Sequence, residues 1–231
     1  MKIAILGAAW FIGRNLVCFF KEKHEVLAFV RRDCEKELWV RYFKWDNHNL
    51  PTFQEKIDIC IDCISDVDYT KSERELLKNN VSILEYTKKF LSESKCNHYV
   101  YLSSSSVYMG NEGILSEKII IDEDKLLSAY PKSKFLAEKY IWEHFWFLNK
   151  VSLIRPRAVY WAWDTTLIPR ILRHQILSFL ILPSGDSLTS VTHIDNLCSA
   201  IEQVILCQKG NLEVYNVSDE VPLRYSFLYG K

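Results

Sequence analysis

The chain has 231 residues, 48% of them hydrophobic and 25% charged, and its 29 basic and 29 acidic side chains cancel to zero net charge. That length holds one large domain, or one domain and part of a second, with a sizeable core either way. Balanced charge excludes the clustered positive surplus of a nucleic-acid or anionic-membrane footprint. No apolar run reaches the roughly 18 residues that span a bilayer, and no leader precedes Met1-Lys2-Ile3, so a cytoplasmic protein without membrane or nucleic-acid partners is expected.

The first element is the apolar run Ile3-Ala4-Ile5-Leu6, a strand near 3–7, followed by Gly7-Ala8-Ala9-Trp10-Phe11-Ile12-Gly13 at the head of a helical segment near 11–22. Strand, tight glycine turn and helix start is the arrangement in which free backbone N–H groups and the positive helix end favour a dinucleotide pyrophosphate. Gly7, Trp10, Phe11, Ile12 and Gly13 are therefore candidate cofactor-binding residues. Trp10 is anomalous, because it stands where the spacing calls for a third glycine.

Further strands are expected near 25–31, 40–44, 57–64, 98–103 and 151–155, and helices near 71–94 and 128–147, the last beginning beside Ser128 as cap. This alternation argues for βαβ units and a parallel sheet covered on both faces. The rhythm changes from about 156. A helix over 166–180 interrupted by Pro169, a turn at Pro183-Ser184-Gly185-Asp186, a strand at 190–194, a helix at 196–207 and a strand at 213–217 follow. The fold class is α/β: a Rossmann-type doubly wound parallel sheet over 1–155, with a small, incomplete C-terminal substrate lobe over 156–231 interleaved with it.

Seven cysteines at irregular spacings suit reduced thiols better than a disulfide framework. Cys60-Ile61-Asp62-Cys63 spells C-x-x-C, but on a strand residues three apart point to opposite faces, so no metal site is expected.

Tyr130-Pro131-Lys132-Ser133-Lys134 puts a phenol and an amine four residues apart on one helix face. An ammonium beside a phenol favours the phenolate, so the pair can pass a proton to or from a substrate hydroxyl. Alone, this spacing also describes a solvated lysine beside a half-buried tyrosine. The strand Tyr99-Val100-Tyr101-Leu102 runs into Ser103-Ser104-Ser105-Ser106, at the carboxyl end where open α/β sheets bind ligands. A serine there can hydrogen-bond a substrate oxygen, although serines also make ordinary turns.

Taken together, these features resemble an extended short-chain dehydrogenase/reductase of the NAD-dependent epimerase/dehydratase family. The matching pieces are the glycine turn, Asp46, Asn80-Val81, residues 103–108, Tyr130 with Lys134, Arg155-Pro156-Arg157, Asp164 and Val191-Thr192-His193-Ile194-Asp195-Asn196-Leu197. The resemblance implies Tyr130 as acid/base and Lys134 as its perturber and a ligand of the nicotinamide ribose. It implies Ser104 as the catalytic hydroxyl, with Ser103 and Ser105 as neighbours in register, Asn80 as a helper of the lysine through water, and Asp46 against the adenine. At the end of the second strand Val30 occupies the place of the acid that binds a ribose 2′-OH, and Arg31-Arg32 follow. That favours NADP over NAD, with Asp33 the nearest carboxylate. The expected activity is hydride transfer to or from a secondary alcohol or ketone. The small-molecule substrate is a nucleotide sugar, or a hydroxysteroid- or ketoacyl-like compound by the likeness of 155–160 and 191–197. Helices bearing Asn80 and Tyr130 form a dimer interface in many members, which makes a homodimer a further expectation. The alternatives are a non-catalytic nucleotide-binding or scaffold protein, if an indole occupies the pyrophosphate site, and a truncated fragment too short to act.

The seven tryptophans equal the seven glycines, where roughly 16 glycines would be usual at about 7%. Trp10, Trp161 and Trp163 stand at glycine positions of the family pattern, and Trp45 before Asp46 is a further case. A translation that writes tryptophan for UGA codons read as glycine would produce this pattern, and restoring all seven would give 14 glycines. Trp39, Trp142 and Trp146 carry no such motif and are read as core residues.

Overall fold

The structure is a computed structural model that describes residues 1–46, 50–68, 70–111, 115–164, 175–176, 179–180, 188–207 and 210–224. Seven strands form its main sheet: β1 (Lys2–Leu6), β2 (Glu25–Val30), β3 (Val40–Lys44), β4 (Ile59–Asp62), β5 (His98–Leu102), β6 (Lys150–Pro156) and β12 (Leu212–Val217). Their order is β12-β6-β5-β4-β1-β2-β3, with every pairing parallel. Five short strands lie outside it: β7 (Val159–Tyr160), β8 (Gln175–Ile176), β9 (Phe179–Leu180), β10 (Leu188–Thr189) and β11 (Thr192–His193). A last one, β13 (Leu223–Arg224), pairs with β10.

The central strands read as near-continuous apolar runs because helices cover both faces. Helices α1 (Phe11–Phe20) and α5 (Ile194–Leu206) pack on one face, where Leu16, Val17, Phe20, Leu197 and Ile201 meet Ile3, Ile5 and Val26. Helices α3 (Ile83–Glu93) and α4 (Ala129–His144) pack on the other, where Leu84, Phe90, Ala137 and Ile141 meet Ala4, Leu6 and Leu27. The alternation of β1 thus feeds two cores. Cys60 lies in the second core and Cys63 packs against the first, so strand geometry separates the two thiols of the C-x-x-C.

Several expectations need correction. The helix expected over 71–94 is three segments: α2 (Glu73–Leu77), a π-helical turn at Lys78–Ser82, and α3. Its start is a capping box, Ser72 with Glu75. Ser128 occupies the N-cap of α4, yet its side chain makes no capping hydrogen bond. The helix expected over 166–180 is wrong in its described part, where β8 and β9 pair antiparallel; the remainder, and the turn at 183–186, lie outside the described residues. Trp39, Trp142 and Trp146 are exposed rather than core.

Past residue 156, the chain returns to the main body. β7 pairs with β11, α5 covers the first core, and β12 forms the sheet edge beside β6. Thr192 Oγ1 donates to the carbonyls of Arg157 (2.5 Å) and Val217 (3.0 Å). Asp219 accepts from the backbone N–H of His193 (2.9 Å) and from Asn196 Nδ2 (2.8 Å).

The tightest approach in the fold joins β1 to α1. A Cβ at Gly13 would lie 2.4 Å from the Gly7 carbonyl oxygen, and Gly7 itself has φ 76 with Cys63 backbone 3.1 Å from its would-be Cβ. Backbone cannot yield as a flexible side chain does. Gly13→Ala is therefore expected to destabilise the protein by about 1–3 kcal/mol in urea unfolding, the usual cost of overpacking.

Candidate active site

The strand order reverses at β1 and β4, and in open α/β sheets the crevice outside the carboxyl ends at such a point is where ligands bind. A cleft of about 1240 Å³ opens there, more than the few hundred to about 1,000 Å³ typical of a site for one drug-sized molecule. Gly7, Trp10, Phe11, Ile12, Gly13, Arg31, Arg32, Ser104, Tyr130 and Lys134 all line it. Two sequence candidates do not line it: Asn80, which is buried in the π-helical turn, and Asp46, which is exposed one residue beyond the cleft-lining Trp45.

At the phosphate end, Gly7 and Ala8 donate to the Phe29 carbonyl and Trp10 N–H donates to the Gly7 carbonyl, each at 3.1 Å, which folds the turn. The first backbone N–H groups of α1 then have no partner within the helix. This backbone fits a pyrophosphate. The Trp10 indole does not, because it projects from the N-cap into the wall of the same cleft, with the Arg32 guanidinium 5.0 Å from its centroid. Val30 is buried at the end of β2, Arg31 and Arg32 are exposed, and Asp33 is engaged by Lys44 at 3.0 Å.

At the catalytic end, the register of the serines is resolved by their partners. Ser103 lines the cleft but is buried and donates to Glu138 Oε1 at 2.5 Å, which commits its hydroxyl proton. Ser104 is half-buried, lines the cleft, and its Oγ accepts from Ser106 N–H at 3.1 Å, capping a short 3-10 turn at Ser105–Tyr108. Lys134 is fully buried, and its ammonium donates to the Leu102 carbonyl (2.7 Å) and to Tyr101 Oη (3.3 Å). Burial lowers its pKa to about 8, against the opposing pull of Asp62, Cys63 and Glu138. Asp62 below it is pushed up to about 6 by burial, although Tyr99 Oη (2.7 Å) and Ile64 N–H (2.9 Å) donate to its carboxylate.

Asn80 acts on this end at one remove. Its Nδ2 donates to the Asp66 carbonyl and to Ser133 Oγ, both at 3.0 Å, and its Oδ1 accepts from Asp66 N–H at 2.7 Å. Ser133 in turn donates to the Tyr130 carbonyl at 2.8 Å. The asparagine thus pins the loop after β4 to the first turns of α4, between the two residues of the Tyr/Lys pair. π-helical turns recur at functional sites, and this one aims the amide inward.

Sequence reasoning missed the residue that anchors α4. Glu138, one turn beyond Lys134, is buried and bridged by Arg155 through Nε (2.9 Å) and Nη2 (2.5 Å); Arg155 Nη1 then donates to Tyr108 Oη at 2.7 Å. An acid one helical turn after the lysine, with Arg155-Pro156 ahead, was the available signal. Also missed were Cys63, Ile64 and Asp66 on the β4 loop, Arg157 and Thr189, all in the cleft wall. The carboxyl end of β4 is where the switch-point rule would have looked. Among the described residues no group of His, Cys, Asp and Glu is arranged to hold a metal ion, and no helix is long and apolar enough to cross a membrane.

Fold and cleft define a parallel α/β protein with an open crevice at the switch point of its sheet. The chain belongs to the NAD-dependent epimerase/dehydratase family, whose model matches residues 3–218, and is a nicotinamide-nucleotide-dependent enzyme of the epimerase type. Among solved structures, MoeE5 in complex with UDP-glucuronic acid and NAD superposes with a TM-score of 0.85 at 22% identity, over 99% of this chain and 80% of that one. The UDP-glucuronic acid 4-epimerase of Bacillus cereus in complex with NAD gives 0.78 at 20% identity, over 97% and 79%. The terminal R domain of the myxalamid PKS-NRPS pathway gives 0.84 at 18%, over 99% and 68%. At these identities the likeness is one of fold.

Two predictions follow from α4. Removing one partner of a buried ion pair leaves the other uncompensated, so Glu138→Ala is expected to cost about 3–5 kcal/mol in urea unfolding, while the paired Glu138→Met and Arg155→Met chain stays closer to wild type. For Lys134, the folded pKa of about 8 lies below the ordinary 10.5. Between those values the unfolded chain binds the extra proton, so stability rises with pH across that window. Lys134→Met is expected to stabilise the protein at pH 7 by up to roughly 3 kcal/mol, a gain that fades as the pH rises from 8 to 10.5 in unfolding followed against pH.

Proposed function

We propose that the chain is a nicotinamide-dependent oxidoreductase or epimerase acting on a secondary alcohol or ketone of a nucleotide sugar. One observation carries the reading: Ser104, Tyr130 and Lys134 face the same cleft as the glycine turn at 7–13 and the β2 end at Arg31 and Arg32. The cleft exceeds the needs of one small molecule, and two of the structural neighbours above are complexes of sugar-nucleotide proteins with NAD.

In this reading the backbone of residues 7–13 binds the pyrophosphate, and Lys134 holds the ribose beside the reacting carbon. The bound nicotinamide supplies the hydride acceptor and donor. Tyr130 takes the proton of the substrate hydroxyl as the carbonyl forms and returns it on reversal, while Ser104 donates a hydrogen bond to the same oxygen. Asn80, Ser133 and Glu138 are positioning residues: they set where α4 presents the phenol and the amine. Val30 in the place of the acid, with Arg31 and Arg32 beside it, supports the 2′-phosphorylated cofactor.

Fluorescence titration separates the alternatives. NADPH is expected to bind more tightly than NADH, and Tyr130→Phe to lower turnover by about 10²–10⁴-fold while leaving nucleotide affinity unchanged. Binding of neither nucleotide, even with Trp10→Gly, would overturn the reading.

A further inference from the structure

We infer that positions 10, 39, 161 and 163 carry glycine in the functional protein, encoded by UGA codons read as glycine, so that the cleft and its flanking turns are free of indoles. The inference rests on the cofactor reading for its consequence but not for its evidence, which is conformational.

Tryptophan is the largest apolar side chain and is highly buried on average. Here six of seven are exposed, from 41% at Trp10 to 91% at Trp39. Positive-φ backbone, which L side chains resist and glycine adopts freely, occurs at four described non-glycine residues: Trp39 (φ 66), Trp161 (φ 158), Trp163 (φ 67) and Lys95 (φ 48). Three of four falling on tryptophan is unexpected for so rare a residue, and a turn entering a strand, as at Trp39 before β3, is where glycine belongs. Trp163 was singled out by motif and Trp39 was not, so the backbone supplies a case that the motif did not select.

Trp10, Trp161 and Trp163 are also read from their surroundings. Trp10 sits at the N-cap of α1, where glycine serves well and a bulky apolar side chain supplies no acceptor for the first N–H groups. Its ring stands in the cleft wall beside Arg32, so glycine there would open the approach to the turn and release the guanidinium into the cleft. Trp161 rests its ring 4.4 Å from that of His193, and Trp163 lies 4.1 Å beneath the Arg14 guanidinium. These are surface contacts that leave each indole about half exposed. The seventh, Trp45, is buried, yet its Nε1–H has no hydrogen-bond partner among the described residues, an unusual state for a buried indole.

Peptide mass mapping of the protein isolated from its own cells tests this directly. Glycine at 10, 39, 161 and 163, with UGA at those codons, is the expected result. Tryptophan in the peptides containing residues 10 and 161, or UGG at those codons, overturns it. A second comparison sets the chain as written against the chain carrying Trp10→Gly, Trp39→Gly, Trp161→Gly and Trp163→Gly. The substituted chain is expected to melt several degrees higher and to bind NADPH at least tenfold more tightly; an unchanged or lower melting temperature counts against the inference. Glycine found by mass with no nucleotide bound would uphold this inference and refute the cofactor reading, so the two stand apart.

Discussion

The structure depends on how closely the start of α1 crosses the end of β1. With 2.4 Å between the Gly7 carbonyl oxygen and a would-be Cβ on Gly13, the helix end presses onto the strand end, and only two hydrogens in place of side chains permit it. That approach aims the first N–H groups of α1 over the carboxyl edge of β1 and β4. It places the cleft at the one point of the sheet where the connections part to opposite sides. The charge-binding end of the site is therefore a product of backbone packing, with side chains modifying it at Arg32 and obstructing it at Trp10.

The other end of the site is built by burial. Lys134 has no contact with bulk water, and its ammonium is held by the Leu102 carbonyl and Tyr101 Oη under the partial compensation of Asp62. A lysine kept at about 8 sits near the pH at which proton traffic is useful, and the fold bears the desolvation needed to keep it there. Two ties on α4 make this arrangement rigid: Asn80 to Ser133 at its start, and Glu138 to Arg155 and Ser103 one turn past the lysine. Lys134 lies between those ties, and Tyr130 stands just before the first, its carbonyl accepting from Ser133.

The tryptophans run against this economy. Six of the seven stand where the main chain bends or on open surface, and the fold closes around none of those six in the way it closes around Phe20, Phe29 or Phe90; Trp45 is the one that joins the core. The core accounts for its phenylalanines and tyrosines through shared packing, whereas Trp39 and Trp163 occupy backbone that their own side chains disfavour.

By itself the sequence determined most of the strand and helix rhythm up to residue 156 and the glycine turn, and it named Ser104, Tyr130 and Lys134 as candidates, because alternation, helical spacing and turn chemistry act within a few residues. It also located the anomaly at Trp10. Only the tertiary structure decided which of the cleft-lining serines has its hydroxyl committed, because Ser103 donates to Glu138, 35 residues away, and Ser104 does not. The same holds for Asn80, whose partner Ser133 is 53 residues distant, and for the break in the helix around it, which packing on α4 accompanies and no local propensity announced. After residue 156 the strand at 190–194, the helix at 196–207 and the strand at 213–217 were legible, but β7 was not: it exists through its pairing with β11 far along the chain, and no periodicity can be read from two residues.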